Sequence, residues 1–436
     1  MPGPEYQKNS LTLAGTVAMG TGVMIGAGIF ALTGQIAALS GSWFPAAFFA
    51  GAVVSAFSAY SYIKVSNRYP SSGGIAMILE RAYGKGTITG AAALLMAFSM
   101  IINESLVART FATYTLQLFG GGSGFVVSIL ALALVVFAFL INISGNAVIG
   151  GFSKVLAVAK VVGILAFALI ALWASGFDYR SGGTGETGAG GFLAAVALAV
   201  LAYKGFTTIT NSGDEVVNPT RNVGRAIVIS LAICLVVYMA VALAVGSALT
   251  VPQIVSARDY SLAEAAKPVF GQAGLWFTVA VAIIATASGI LASMFAVSRM
   301  LTMLTEMKLI PHSHFGMSGD IHRHLLVYTA VAAGLLTAFF DLSRIAALGA
   351  ILYLLMDIII HWGVLRHLRA EVGASPSVLL TAIALDAVVL VAFVAAKAVS
   401  NPTIVWIALA GVAAIFTFEW LYLGPLRRRG PEGNAR

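Results

Sequence analysis

Charge is what this chain has least of. Only 10% of its 436 residues are Asp, Glu, Lys or Arg, against about 25% in ordinary soluble domains. Too few charges exist to clothe a globule. Cysteine is almost absent as well. Cys234 stands alone in an apolar stretch, which excludes an intrachain disulfide. The apolar stretches also lack paired carboxylates, an H-E-x-x-H sequence, or a nucleophile beside its base, the groups a membrane-embedded enzyme needs. No enzymatic activity, cofactor or metal is therefore expected. Filter-like loops and rings of like charge, from which channels are built, are missing too. No appended soluble domain of the kind a sensor carries is found.

What fills the chain is hydrophobic residue, 59% of all positions, with a mean hydropathy of +0.95. Nearly charge-free stretches recur along its length, each close to the ~20 residues that span a bilayer. The reading is an all-α polytopic membrane protein with twelve transmembrane helices. They are expected at 14–38, 44–66, 87–119, 123–143, 152–175, 191–213, 224–250, 271–304, 323–343, 345–365, 377–398 and 402–424. The third and eighth are long enough to imply tilt or an extension beyond the bilayer. Met1 to Ser10 is polar and the segment after it is long and glycine-rich, so no cleavable leader is expected.

The net charge of +8 raises the question of nucleic acid, but the basic residues lie scattered in short loops between spans. The partner they imply is the lipid bilayer. Placing the N-terminus inside puts Lys8, Lys64, Arg68, Arg81, Lys85, Lys154, Arg221, Arg225, Arg299, Lys308, Arg323, Arg366, Arg369, Arg427, Arg428, Arg429 and Arg436 in the cytoplasm. Arg180, Arg258, Lys267, Arg344 and Lys397 fall on the other side. That is 17 against 5, so both termini are expected in the cytoplasm of a cell with this multi-pass protein in its inner or plasma membrane. Arg109, Lys160 and Lys204 fall within spans.

Glycine is concentrated where a helix can least tolerate it. Span one contains Gly20, Gly22, Gly26 and Gly28, each weakening a helix by roughly 1 kcal/mol relative to alanine. Span six carries Ala202-Tyr203-Lys204-Gly205-Phe206. Small residues also let helices pack closely, which explains the span-six glycine alone equally well. Two interrupted spans five apart are what inverted five-helix repeats produce, with a substrate site where the broken helices meet. Half-helix N-termini there suit a carboxylate, and unwound carbonyls suit an ammonium. An amino acid presents both.

The same residues resemble a known family. Gly22-Val23-Met24-Ile25-Gly26-Ala27-Gly28-Ile29-Phe30 is similar to the G-x-x-I-G-x-G-I-F signature of the amino acid–polyamine–organocation permeases. Arg68-Tyr69-Pro70-Ser71-Ser72-Gly73-Gly74 resembles the loop that follows the family's second helix. Ala202 to Phe206 with Asp214-Glu215-Val216-Val217-Asn218-Pro219 resembles its sixth-helix segment. Val107-Ala108-Arg109 is similar to a third-helix motif of the cationic amino acid transporter branch. The resemblance implies a LeuT-type fold of two inverted repeats with two helices added, working by alternating access. The chain would divide into a cytoplasmic N-terminus (1–13), a first repeat (14–175), a second (191–365), helices eleven and twelve (377–424) and a basic tail (425–436).

By the same resemblance, Ile25, Gly26, Ala27 and Gly28 would hold the substrate's carboxylate and amino group. Leu201, Ala202 and Lys204 would supply carbonyls, and Phe206 an aromatic gate. Lys160 lies in an otherwise apolar fifth span, where a charge costs about 2.5 kcal/mol or more and function is the default explanation. Burial disfavours its charged form, which suits a group that exchanges a proton during transport. It also resembles the lysine that replaces a sodium ion in proton-coupled prokaryotic members, with Thr286 and Ser288 of span eight as neighbours.

Glu104 and Lys204 depart from the family's usual residues. They either pair with each other, or Glu104 selects an amino-bearing substrate, or Lys204 an acidic one. Arg109 is read as structural. Asp214 and Glu215 with Arg221 and Arg225 form a candidate cytoplasmic ion-pair cluster. His312, His314, His322 and His324 make two H-x-H pairs, but without thiolates in a loop they are not expected to hold metal. The expectation is a secondary active transporter for amino acids, coupled to protons through Lys160, with a sodium- and proton-independent amino acid or polyamine exchanger as the alternative. The sequence leaves the oligomeric state and the particular substrate open.

Overall fold

Helix accounts for nearly all of the described chain, residues 10–71, 73–144, 146–182, 188–311 and 321–428 of a computed structural model. The order is α1 (Leu13–Val23), α2 (Ile29–Ser40), α3 (Phe44–Arg68), α4 (Gly74–Tyr83), α5 (Thr87–Leu116), α6 (Gly124–Ser144), α7 (Asn146–Ala174) and α8 (Ala189–Tyr203). There follow α9 (Phe206–Thr210), α10 (Pro219–Ala248), α11 (Val251–Ser256), α12 (Ser261–Glu306), α13 (Ile321–Phe339), α14 (Leu342–Gly363), α15 (Pro376–Ser400) and α16 (Pro402–Arg428). Local signals set the ends. Thr12 caps α1 by accepting from the Gly15 N–H at 3.2 Å, and Asp341 caps α14 from the Arg344 N–H at 2.8 Å. Proline opens α10, α15 and α16, where its missing N–H leaves no intrahelical bond unmade.

Helix occupies each of the twelve expected positions. Among the described residues nine runs are long and apolar enough to cross a membrane, and shorter apolar helices occur at Leu13–Gly26, Val158–Ala174 and Arg323–Phe339. Two corrections to the expected spans have clear causes. The helical run containing span eight reaches back to Ser261, but the non-helical backbone of Gly271 (φ 59°, ψ −142°) breaks it there, so a short helix carrying Pro268 precedes the expected span. Three short helical pieces, α4, α11 and the first turns of α12, were not anticipated, since their polar residues hide them from a search for apolar runs.

Apolar residues fill the interior but also cover the outside. All six tryptophans are exposed, from Trp362 at 51% to Trp173 at 76%, and they sit within a few turns of where spans begin or end. That is the distribution of an interfacial aromatic belt. Along α6, Phe125, Ile129, Val136, Phe137 and Leu140 face outward, a surface that only lipid solvates well. The interior holds the charges: Glu104, Lys160, Lys204, Asp357, His361, Asp386 and Glu419 are buried.

Candidate substrate and coupling site

The two interrupted spans meet at the centre of the bundle, and glycine is what lets them. A Cβ on Gly205 would stand 2.7 Å from Met24 Cγ and 2.8 Å from the Met24 nitrogen. One on Gly28 would stand 2.4 Å from the Tyr238 hydroxyl and 2.8 Å from the Ala202 carbonyl oxygen. Gly26 lies against α12, where an added Cβ would come 3.1 Å from the Ala285 carbonyl oxygen and 3.3 Å from Gly289 Cα. All three contacts involve backbone, so the crossing admits no larger residue without a shift.

The interruptions differ from the unwound segments that the sequence led us to expect. Between α1 and α2 the chain stays helical but widens into a π-turn over Met24–Gly28, a form that recurs at functional sites. Between α8 and α9 it tightens into i→i+3 bonds, from the Thr207 N–H to the Lys204 carbonyl at 3.0 Å and from the Thr208 N–H to the Gly205 carbonyl at 3.2 Å. Ile25 is fully buried in the π-turn; the Ala27 side chain lies outside the described residues. The carbonyls expected to be free are engaged. Tyr238 from α10 lies 2.6 Å from the Met24 carbonyl and 3.1 Å from that of Ala202, with one proton to donate between them. The Leu201 carbonyl accepts the Lys204 N–H at 3.4 Å.

Lys160 reaches across this crossing. From α7 its ammonium donates to the Gly22 carbonyl of α1 at 2.8 Å and to Ser288 Oγ of α12 at 3.0 Å. Three helices are thus tied by one buried cation. Thr286, expected beside it, instead donates into its own helix, to the Ala282 carbonyl at 2.6 Å. Two residues along a helix turn the side chain about 200° away, so Ser288 and Thr286 cannot both face α7.

Lys204 and Glu104 form no ion pair. The Lys204 ammonium donates to the Ser99 carbonyl at 2.8 Å and to Ser99 Oγ at 3.0 Å, and lies 5.7 Å from the Tyr353 ring centroid. It fastens the broken sixth span to α5. Both Glu104 oxygens are buried with no hydrogen-bond partner. Arg109 anchors α5 to its neighbours, donating to the Thr337 carbonyl at 2.7 Å and to Ser128 Oγ at 3.2 Å. Phe206 is fully buried, edge-on to Tyr62 with ring centroids 5.3 Å apart.

At the end of the bundle where α1 begins, Glu215 pairs with Arg299 of α12 rather than with Arg221 or Arg225, which are exposed. Beside it Leu11 bridges to Val216, donating to the Glu215 carbonyl at 2.8 Å and accepting from the Val217 N–H at 2.9 Å. The start of span one, the end of span six and the end of span eight are closed together. Arg299→Ala would leave Glu215 largely buried and uncompensated, a loss of about 3 kcal/mol or more. The thermal midpoint of the purified protein is expected to fall well below those of Arg221→Ala and Arg225→Ala; equal midpoints would contradict this. Of the loop histidines, His312, His314 and the His322 side chain lie outside the described residues, and His324 is buried.

Sequence reading passed over one set of residues. Asp357 and His361, four apart on α14, and Asp386 on α15 are fully buried and close together. Ionisable residues within apolar runs were the available signal.

Known proteins resemble this chain along most of its length. It is 28% identical over 391 residues to "Inner membrane transport protein YbaT" of Escherichia coli, covering 88% of this chain and 89% of that protein. It is 26% identical to "Cationic amino acid transporter 4, vacuolar" of Arabidopsis thaliana, covering 79% of this chain and 60% of that one. It is 26% identical to "Serine/threonine exchanger SteT" of Bacillus subtilis, over 61% of each. The chain thus spans about three fifths of the length of the last two. The family model described as amino acid permease matches residues 11–415. Glycine-mediated crossing, buried cation and matched sequence together place the chain in the amino acid permease family, among membrane transporters rather than enzymes.

Proposed function

We propose that the protein carries amino acids across the cytoplasmic membrane by alternating access and proton symport, with Lys160 as the coupling group. The frame is two inverted five-helix repeats, spans one to five and six to ten, with two helices added and both termini in the cytoplasm. The observation that carries this reading is the Lys160 bridge to Gly22 and Ser288. A charged ammonium there holds α1, α7 and α12 together. Once neutral it makes weaker bonds, since hydrogen bonds to charged groups are worth roughly twice those between neutral ones. Proton release would therefore loosen the first broken span from its neighbours, and rebinding would close it. The substrate's charged groups would lie along the π-turn from Ile25 to Gly28 and the turn at Lys204 and Gly205. Opening this site requires Tyr238 to release the Met24 or Ala202 carbonyl, and Phe206 would close over it.

Uptake into proteoliposomes tests the coupling. An inward proton gradient is expected to drive accumulation of labelled amino acid without internal substrate. Transport that ignores the gradient but requires amino acid inside would support exchange, the activity in the name of the Bacillus subtilis relative.

Glu104 is the side-chain determinant in this reading, since Lys204 is already satisfied by Ser99 and the Glu104 carboxyl has no partner. A basic side chain would supply one. In competition against labelled uptake, lysine or ornithine is expected to outcompete glutamate, and Glu104→Gln to lose that preference by about tenfold. A preference unchanged in Glu104→Gln would remove Glu104 from the pocket.

A further inference from the structure

Away from Lys160, the membrane interior holds a second set of titratable groups. On α14, Asp357 and His361 share a face; Asp386 projects to them from the middle of α15. His361 Nε2 lies 3.2 Å from Asp386 Oδ2 and 3.9 Å from Asp357 Oδ2. From α3, Ser58 and Tyr62 each donate a hydroxyl to Asp357, and Ser61 Oγ lies 2.7 Å from His361 Nδ1. Tyr353, one turn before Asp357 on α14, turns its buried hydroxyl towards Ser58 and Asp357 and is a further titratable group against the cluster. Beyond it, the Lys204 ammonium lies 5.7 Å from the Tyr353 ring centroid. Both Asp386 oxygens and His361 Nε2 are buried without a hydrogen bond.

Charge decides what such a cluster must hold. Two carboxylates and a neutral imidazole sum to two negative charges, and none of these side chains is exposed. At this depth an uncompensated charge costs several kcal/mol, and carboxylates sharing a site cannot both stay ionised. We propose that Asp357, His361 and Asp386 form a second proton-binding site, separate from Lys160 and linked to the sixth span. The link is Tyr62: its hydroxyl binds Asp357 while its ring packs edge-on against Phe206. Movement of Phe206 would change the packing of the Tyr62 ring, whose hydroxyl shares Asp357 with Ser58. By reciprocity, proton occupancy of the cluster biases the position of Phe206. Only this coupling rests on the reading of Phe206 as the gate; proton binding does not.

Infrared spectroscopy of the purified full-length protein tests both parts. A carboxylic acid C=O band is expected in the wild type near neutral pH. It should diminish in Asp386→Asn and in Asp357→Asn, and persist in Lys160→Ala. Glu104→Gln and Glu419→Gln identify the bands of the other two buried carboxyls. His361→Gln is expected to shift the pH at which the cluster's band disappears. Saturating amino acid should change the cluster's proton affinity about fivefold or more. Should Asp386→Asn fail to fold, Asp357→Asn and the wild-type pH titration carry the test. Two results would overturn the site: cluster variants whose spectra match the wild type at every pH, or stoichiometric metal in the purified protein, since the three ligand atoms lie within 4.8 Å of one another. A band that titrates but ignores amino acid would overturn the coupling alone. Loss of gradient-driven uptake with the band intact would instead count against the transport reading.

Discussion

Lys160→Ala is expected to reduce gradient-driven uptake in proteoliposomes to background, the largest functional effect of any single side-chain truncation here. The substitution removes a buried cation and both of its hydrogen bonds, at 2.8 and 3.0 Å. Each bond from a charged donor contributes roughly 1.5–3 kcal/mol. It also takes the ammonium away from the Gly22 carbonyl, just before the π-turn of span one. Alanine resembles the neutral lysine in carrying no charge, so the variant should keep substrate counterflow while losing accumulation against a gradient. Lys160→Arg gives the complementary outcome. A guanidinium stays protonated, so uptake should stop because the three helices cannot separate. Gradient-driven accumulation at wild-type rate in Lys160→Ala would end the case for this residue as the coupling group.

The second large effect belongs to glycine and to geometry alone. Gly28→Ala places a methyl 2.8 Å from a backbone carbonyl and 2.4 Å from Tyr238, while Gly205→Ala places one 2.8 Å from the Met24 nitrogen. Overpacking of this kind costs about 1–3 kcal/mol, and here it lands where the broken spans cross. Both variants are expected to lose most transport and to melt several degrees lower. Gly26→Ala, with nearest approaches of 3.1 and 3.3 Å to α12, should be intermediate. Gly22→Ala meets only the Lys160 ammonium, at 3.5 Å, and should fold normally. Comparing uptake and melting across the four variants checks the order; equal behaviour would mean that close packing at the crossing does not limit function.

The cluster of Asp357, His361 and Asp386 was the site most easily missed, although each residue stands in an apolar run. These three residues belong to none of the motifs that carry the family resemblance. Their meeting depends on α3, α14 and α15 packing together, which spacing within one helix does not disclose. Glu104 and Lys204 illustrate the same limit. The sequence placed both near the crossing but could not distinguish a pair from two independent contacts. Ser99, one turn and a little before Glu104, takes the ammonium instead.

By itself the sequence determined that the chain is helical and lies in a membrane, and that the stretches around Gly20–Gly28 and Gly205 are weakened by glycine. Those properties follow from composition and local period, since lipid leaves backbone polar groups no partner but the helix itself. It also singled out Lys160, because an isolated ammonium in an apolar span is costly enough to demand a reason. Only the tertiary structure decided what the lysine holds, that the weakened spans remain helical as a π-turn and a tight turn, and that Glu215 pairs with Arg299. These depend on which faces meet across the bundle. Contacts between residues far apart in the chain are set by packing, and packing is a property of all the helices at once.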